Sequence, residues 1–243
     1  RSWRDAGIAV AFGVTLGVMN FSIYQSFARI PLGIAVTVEF LGPLAVAVAT
    51  SRRLIDAAWV VLAGSGVALF AHGGTTLASG GVPGSAGGSG LAVTGIAFAL
   101  LAAACWAGYI LLSRSTGQRF SGSSGLVIAM IIAAVVVTPP GVAEGNAALL
   151  RPGVLAEGVL IGLLSSVIPY AFELQALRRV PARVFGIWMS LEPAVGAVIG
   201  LILLSQSLAP REWIAIGCVT IATAGAARSA AGDAQAHPPD PPA

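Results

Sequence analysis

Residues 31–48 read Pro-Leu-Gly-Ile-Ala-Val-Thr-Val-Glu-Phe-Leu-Gly-Pro-Leu-Ala-Val-Ala-Val, and residues 181–198 read Pro-Ala-Arg-Val-Phe-Gly-Ile-Trp-Met-Ser-Leu-Glu-Pro-Ala-Val-Gly-Ala-Val. The two align without gaps at an offset of 150 residues. Gln25, Arg29, Pro31, Leu41, Pro43, Ala47 and Val48 fall on Gln175, Arg179, Pro181, Leu191, Pro193, Ala197 and Val198. Shared apolar composition explains some of these identities. It does not explain two prolines, a glutamine and an arginine at matched spacing. The chain therefore contains an internal repeat, and each copy is an apolar run long enough to cross a bilayer.

Composition supports that reading. Of 243 residues, 56% are hydrophobic and 9% charged, against about 25% charged in an ordinary soluble domain. Mean hydropathy is +0.89. So few charges cannot cover a water-facing surface, whereas a bilayer requires an apolar one. The fold class expected is an all-α polytopic membrane protein.

Eight apolar runs are expected to span the membrane: A (Ala6 to Phe27), B (Pro31 to Thr50), C (Ala57 to Phe70), D (Leu91 to Leu112), E (Gly125 to Val137), F (Val154 to Leu177), G (Val184 to Leu204) and H (Trp213 to Ala227). Span E is expected to stop before Pro139-Pro140. Span A also carries Ser26-Phe27-Ala28, loosely like a signal-cleavage site, but its length and the seven spans after it favour a true helix. Residues 75–90 are rich in glycine and serine and read as a flexible connector. Residues 228–243, ending His237-Pro-Pro-Asp-Pro-Pro-Ala243, read as a disordered tail.

Repeat and charge together set the topology. Spans A, B and C correspond to F, G and H, five spans later, so equivalent helices cross in opposite directions. That is an inverted repeat, the architecture of secondary transporters whose midplane site alternates its exposure. Residues 1–74 are then the later part of a first unit, and residues 91–227 a complete five-helix second unit. Nothing before span A matches D and E, so two further helices are expected in a ten-helix parent, of which this chain holds eight.

The basic residues are arginines throughout. Arg1, Arg4, Arg52, Arg53, Arg114, Arg119, Arg178, Arg179, Arg183 and Arg228 share one side, and Arg29, Arg151 and Arg211 the other. The positive-inside rule puts both termini in the cytoplasm. The arginines are scattered over connections and form no basic tract, so no nucleic-acid partner is expected.

An ionised side chain at a helix centre costs about 2.5–3.5 kcal/mol to insert, so intramembrane carboxylates need a reason. Glu39, Glu173 and Glu192 are the candidates for substrate binding and proton coupling. Apolar surroundings favour a neutral carboxyl, and an approaching cation favours the charged form. Fixing helix packing is the competing role, strongest for Glu173 beside Arg178-Arg179. Pro43 and Pro193 are candidate helix breaks, each freeing a backbone carbonyl. Asn20, Tyr24, Trp106, Tyr109 and Tyr170 are possible cavity-lining residues, with packing as the alternative. Gly13-x-x-x-Gly17 and Gly196-x-x-x-Gly200 permit close helix approach.

Enzymatic readings fail on context. Gly87-Gly88-Ser89-Gly90 superficially fits the Gly-x-Ser-Gly of rhomboid-type proteases, but it sits in the connector, and His72 and His237 lie in loop and tail. No phosphate-binding loop precedes a lysine. Cys105 and Cys218 lie inside apolar runs as small hydrophobes. No catalytic residue, metal or cofactor is expected.

Particular motifs carry a family resemblance. Pro31 to Val48 followed by Ser51-Arg52-Arg53, Ala104-Cys-Trp-Ala-Gly-Tyr-Ile-Leu111, Pro169-Tyr-Ala-Phe-Glu173 and Phe185 to Pro193 resemble the threonine and homoserine exporters of the EamA-type drug/metabolite transporter superfamily. The resemblance implies two inverted five-helix halves in the bacterial inner membrane and proton-driven efflux of a small amino acid or related metabolite. It places Glu39, Glu173 and Glu192 toward a central cavity. It also implies that two preceding helices line that cavity, so residues 1–243 alone are expected not to transport. A broader metabolite or drug exporter is the alternative within transport. From another class, a membrane scaffold or sensor is disfavoured because it has no use for costly buried carboxylates.

Overall fold

The computed structural model describes residues 3–50, 55–71, 89–119, 124–145, 149–169, 172, 179–180 and 182–236. Among these the helices are α1 (Trp3–Phe27), α2 (Leu32–Glu39), α3 (Leu41–Thr50), α4 (Ile55–Ala71), α5 (Ser89–Arg119), α6 (Ser124–Gly145), α7 (Pro152–Gly162), α8 (Ala182–Met189), α9 (Glu192–Leu203) and α10 (Pro210–Ala236). A π-helical turn, Leu163–Val167, continues α7. Four stretches, Ala6–Phe27, Leu32–Thr50, Val93–Ser113 and Val184–Leu203, are long and apolar enough to cross a membrane, and Ile55–Phe70, Val127–Ala143 and Pro152–Val167 are shorter apolar helices. These seven correspond to spans A to G. Span H lies within α10, which is richer in alanine, glycine and threonine.

Spans B and G are each two helices rather than one. Proline lacks an N–H and crowds the carbonyl four residues back, so Pro43 and Pro193 act on Glu39 and Met189. Those are the last residues of α2 and α8. The breaks fall at Phe40 and at Ser190-Leu191, upstream of the prolines, which sit in the first turns of α3 and α9, where a missing N–H goes unused. At Phe40 the N–H bonds to the Val36 carbonyl and the carbonyl accepts from the Leu44 N–H, so these two rungs of the ladder persist across the break.

Three expected boundaries are corrected. Span E does not stop at Pro139-Pro140, because α6 carries both prolines inside it and runs to Gly145. The Thr138 hydroxyl donates to the Ala134 carbonyl at 2.7 Å, beside the gap the prolines leave. The last helix does not end at Ala227. It continues to Ala236, so residues 228–236 of the expected disordered tail are helical, as their alanine-rich sequence favours. The third is at the start of α5, which begins at Ser89 and so takes in the last two residues expected in the connector. The rest of the connector and residues 237–243 lie outside the described residues.

At the centre of the packing is α2, buried from Gly33 to Val38. Ile30, Ile34, Ala35 and Val38 form one core with Phe70, Ala99, Ala102, Ala197, Ala215 and Ile216. Lipid is as apolar as leucine, so small residues that let backbones approach must hold such helices together. A Cβ on Gly33 would meet Ala197 of α9 at 2.6 Å, and one on Gly42 would meet the Ala103 carbonyl of α5. The first Gly-x-x-x-Gly motif acts this way, Gly13 and Gly17 admitting Ile132 and Ala133 of α6, whereas Gly196 and Gly200 meet Val36 and Leu32 of α2 at ordinary contact distance and Gly200 makes room for Gln206.

Repeat-equivalent contacts recur. Helix α4 packs on its own counterpart α10, and α3 packs on α4 as α9 does on α10. The Arg29 guanidinium lies over the Phe98 ring, 5.0 Å from its centroid, and donates to the Gln25 carbonyl at 2.6 Å, beside the C-terminal end of α1. Cations belong there because the last helical carbonyls carry partial negative charge. The same guanidinium also donates to the Gln25 side-chain Oε1, which explains the Gln-x-x-x-Arg of the first copy. Gln175 of the second copy lies outside the described residues.

One contact ties the two repeats through a loop. Ser205 adopts a left-handed backbone, φ 54°, just after α9. This turns Gln206 back so that its N–H reaches the Gly200 carbonyl at 3.0 Å. Its side-chain Oε1 then accepts from the Leu32 N–H at 2.9 Å, satisfying an otherwise orphaned donor in the first turn of α2. Gln206→Leu is expected to lower stability by about 1–2 kcal/mol by leaving that buried donor unpaired. Unfolding in detergent measures it, with Gln206→Glu, which keeps an acceptor, as the milder comparison.

Candidate functional site

A cavity of about 550 Å³ is lined by Met19, Glu39, Trp106, Tyr109, Ser165, Pro169, Phe172, Phe185, Met189 and Glu192. Both carboxylates on it lie beside helix breaks. Glu39 closes α2 and Glu192 opens α9, so each sits where the backbone ladder is interrupted. The two are not repeat mates: at the offset of 150, Glu39 falls on Met189 and Glu192 on Gly42. Glu39 is half-buried and Glu192 more exposed.

The aromatic wall comes from α5. Trp106 meets Phe40, the break residue, edge-on at 5.0 Å, and Tyr109 stacks on Phe12 of α1 at 5.2 Å. Such pairs hold the rings in place. Ser165, Pro169 and Phe172, from the π-helical turn of span F and the residues after it, also line the cavity. Two carboxylates and no arginine are among the described lining residues of the cavity. It can hold protons, or a small cation with apolar and hydroxyl-bearing parts.

Four of the candidates named from sequence converge here: Glu39, Glu192, Trp106 and Tyr109. Two others do not. Asn20 donates to the Leu16 carbonyl at 3.0 Å and lines a separate cleft of about 210 Å³ between α1 and α6, with Ser166. Tyr24 is 49% exposed and packs edge-on against Phe27, lining neither space. On α1 both point away from the face that carries Met19. Glu173 and Tyr170 lie outside the described residues. Sequence reasoning missed Met19, Ser165, Pro169, Phe172, Phe185 and Met189. Only Ser165-Ser166, a polar pair inside an apolar span, left a signal.

Comparison with known proteins agrees with this architecture. Residues 93–228 match the EamA-like transporter family. The chain is 41% identical over 214 residues to the threonine/homoserine exporter RhtA of Escherichia coli strain K12, covering 88% of this chain and 68% of that protein. Identity is 39% over the same shares to the exporter of that name from Salmonella typhimurium strain LT2. An uncharacterized transporter of Bacillus subtilis strain 168, YwfM, is 26% identical over 129 residues, 53% of this chain and 44% of that protein. No solved structure matches the chain. With the family match covering more than half of its residues, and apolar helices built around a carboxylate-bearing cavity, the chain is a multi-pass membrane protein that belongs to the EamA-like transporter family.

Proposed function

We propose that the protein is a secondary active transporter exporting small amino acids of the threonine and homoserine kind across the bacterial inner membrane, with both chain termini cytoplasmic. The observation that carries this reading is the pair Glu39 and Glu192 on one cavity, at helix breaks in the two repeats. Similarity to the two enterobacterial exporters supports the substrate class.

Mechanistically, the carboxylates alternate between holding a proton and holding the substrate ammonium. Inward protons displace the amino acid on one side, and the amino acid displaces protons on the other. Apolar surroundings make that exchange sharp, because an unpaired charge there is unfavourable. Rocking of one repeat against the other would move the exposure of the site across the membrane.

Counterflow of labelled threonine and homoserine by the full-length protein in liposomes, with and without an imposed pH gradient, tests the reading. Flux that follows the gradient is expected. Absence of flux for both, from folded protein, would overturn it. A broader exporter is the second reading, favoured by the size of the cavity and by its Trp106, Phe172 and Phe185 walls. Hydrophobic cations that compete with threonine would support it.

A further inference from the structure

Two carboxylates and an aromatic wall account for holding an ammonium, but they treat all amino-acid side chains alike. Discrimination needs a polar group elsewhere on the cavity. Ser165 is such a group, on span F, among the residues that line the cavity.

Ser165 is exposed and lines the cavity without the bond that most hydroxyls of these helices make; Ser22 and Thr220 also lack a partner, but their oxygens are buried and neither lines this cavity. Thr37, Thr50, Ser113, Thr138, Ser190 and Thr223 each donate to a carbonyl three or four residues back. That is how a hydroxyl in an apolar helix satisfies itself. Ser165 does not. Its one contact is the neighbouring Ser166 hydroxyl at 3.5 Å, well beyond the 2.7–2.8 Å of a good O–H···O bond. In the π-helical turn the Ile168 N–H bonds to the Leu163 carbonyl five residues back, and within that turn Ser165 lines the carboxylate cavity and Ser166 the α1/α6 cleft. Single π-turns inside α-helices recur at functional sites.

We infer that Ser165 is a specificity-determining residue, whose hydroxyl hydrogen-bonds the side-chain hydroxyl of an amino acid held by its ammonium at Glu39 and Glu192. This rests on the exporter reading above. A site built to bond a substrate hydroxyl rejects the analogue lacking it, whereas an apolar site distinguishes the two weakly. Valine replaces the threonine hydroxyl with a methyl group and is the natural comparator.

The test is export of threonine and valine by the full-length protein in liposomes, for wild type, Ser165→Ala, Ser165→Thr and Ser166→Ala. In Ser165→Ala the threonine-over-valine ratio of kcat/KM is expected to fall about tenfold. Ser165→Thr, which keeps the hydroxyl, and Ser166→Ala, which faces the other cleft, are expected to stay within about twofold of wild type. Equilibrium binding of the two amino acids to the same variants reads the ratio where flux is too low. An unchanged ratio in Ser165→Ala overturns the assignment while leaving the exporter reading intact. A wild type that neither binds nor moves threonine overturns both.

Discussion

Glu39→Gln is expected to reduce threonine export by about 100-fold, since a hydrogen bond to a charged group contributes up to about 3 kcal/mol and each 1.4 kcal/mol is a factor of ten. Glutamine keeps the shape and a carbonyl acceptor but can neither carry the charge that attracts an ammonium nor exchange a proton. Glu192→Gln is expected to cost about tenfold, because that side chain is more exposed and water takes over part of its role. In the double variant, residual flux should no longer respond to an imposed pH gradient. The wild type responds because protons and substrate compete for the same carboxylates. Initial rates in liposomes at several inside and outside pH values measure this. Wild-type rates and gradient dependence in both single variants would assign the glutamates to packing instead.

Replacing Gly42 should be the most damaging change away from the carboxylates. Its Cα lies against the Ala103 backbone, so any Cβ collides with a carbonyl that cannot move without shifting α5. Gly42→Ala is expected to destabilise by about 3 kcal/mol, the upper end for overpacking, with a fall in melting temperature of about 6–12 °C. Function should suffer more than stability suggests. Helix α5 carries Trp106 and Tyr109, and α2 and α3 meet next to Glu39, so parting α3 from α5 opens the cavity wall. Gly64 provides the control: nothing lies within 4 Å of its Cβ position, and Gly64→Ala should be silent. Thermal unfolding in detergent, paired with transport, separates the two effects.

The mild consequence expected for Gln206→Leu fits the same picture. A single capping bond closes one helix start, whereas the Gly42 contact sets the distance between two helices. The strength of each prediction follows from how many backbone atoms have to move.

Much of the site was legible because expensive residues in a cheap background are conspicuous. Glu39 and Glu192 stood out by their insertion cost, and Pro43 and Pro193 by their effect on the helix. The matched corners at residues 25–48 and 175–198 revealed the repeat. What failed was rotation about the helix axis. Asn20 and Tyr24 share α1 with Met19, yet only Met19 reaches the main cavity. In a soluble helix a polar face would have told them apart. Here the lipid-facing and core-facing sides are both apolar, so periodicity carries little information.

The sequence by itself determined the membrane, the all-helical class, the repeat and the two carboxylates at broken helices. Each follows from composition or from a residue whose cost is independent of its neighbours. Only the tertiary structure decided where the helices break, at Phe40 and Ser190-Leu191, and which aromatic side chains converge. It alone revealed the π-turn that contains Ser165 and the left-handed Ser205 that carries Gln206 to α2. Those features depend on how closely neighbouring backbones approach and how each helix is turned. For the aromatic wall and the Gln206 cap, both are set by packing between segments distant in sequence.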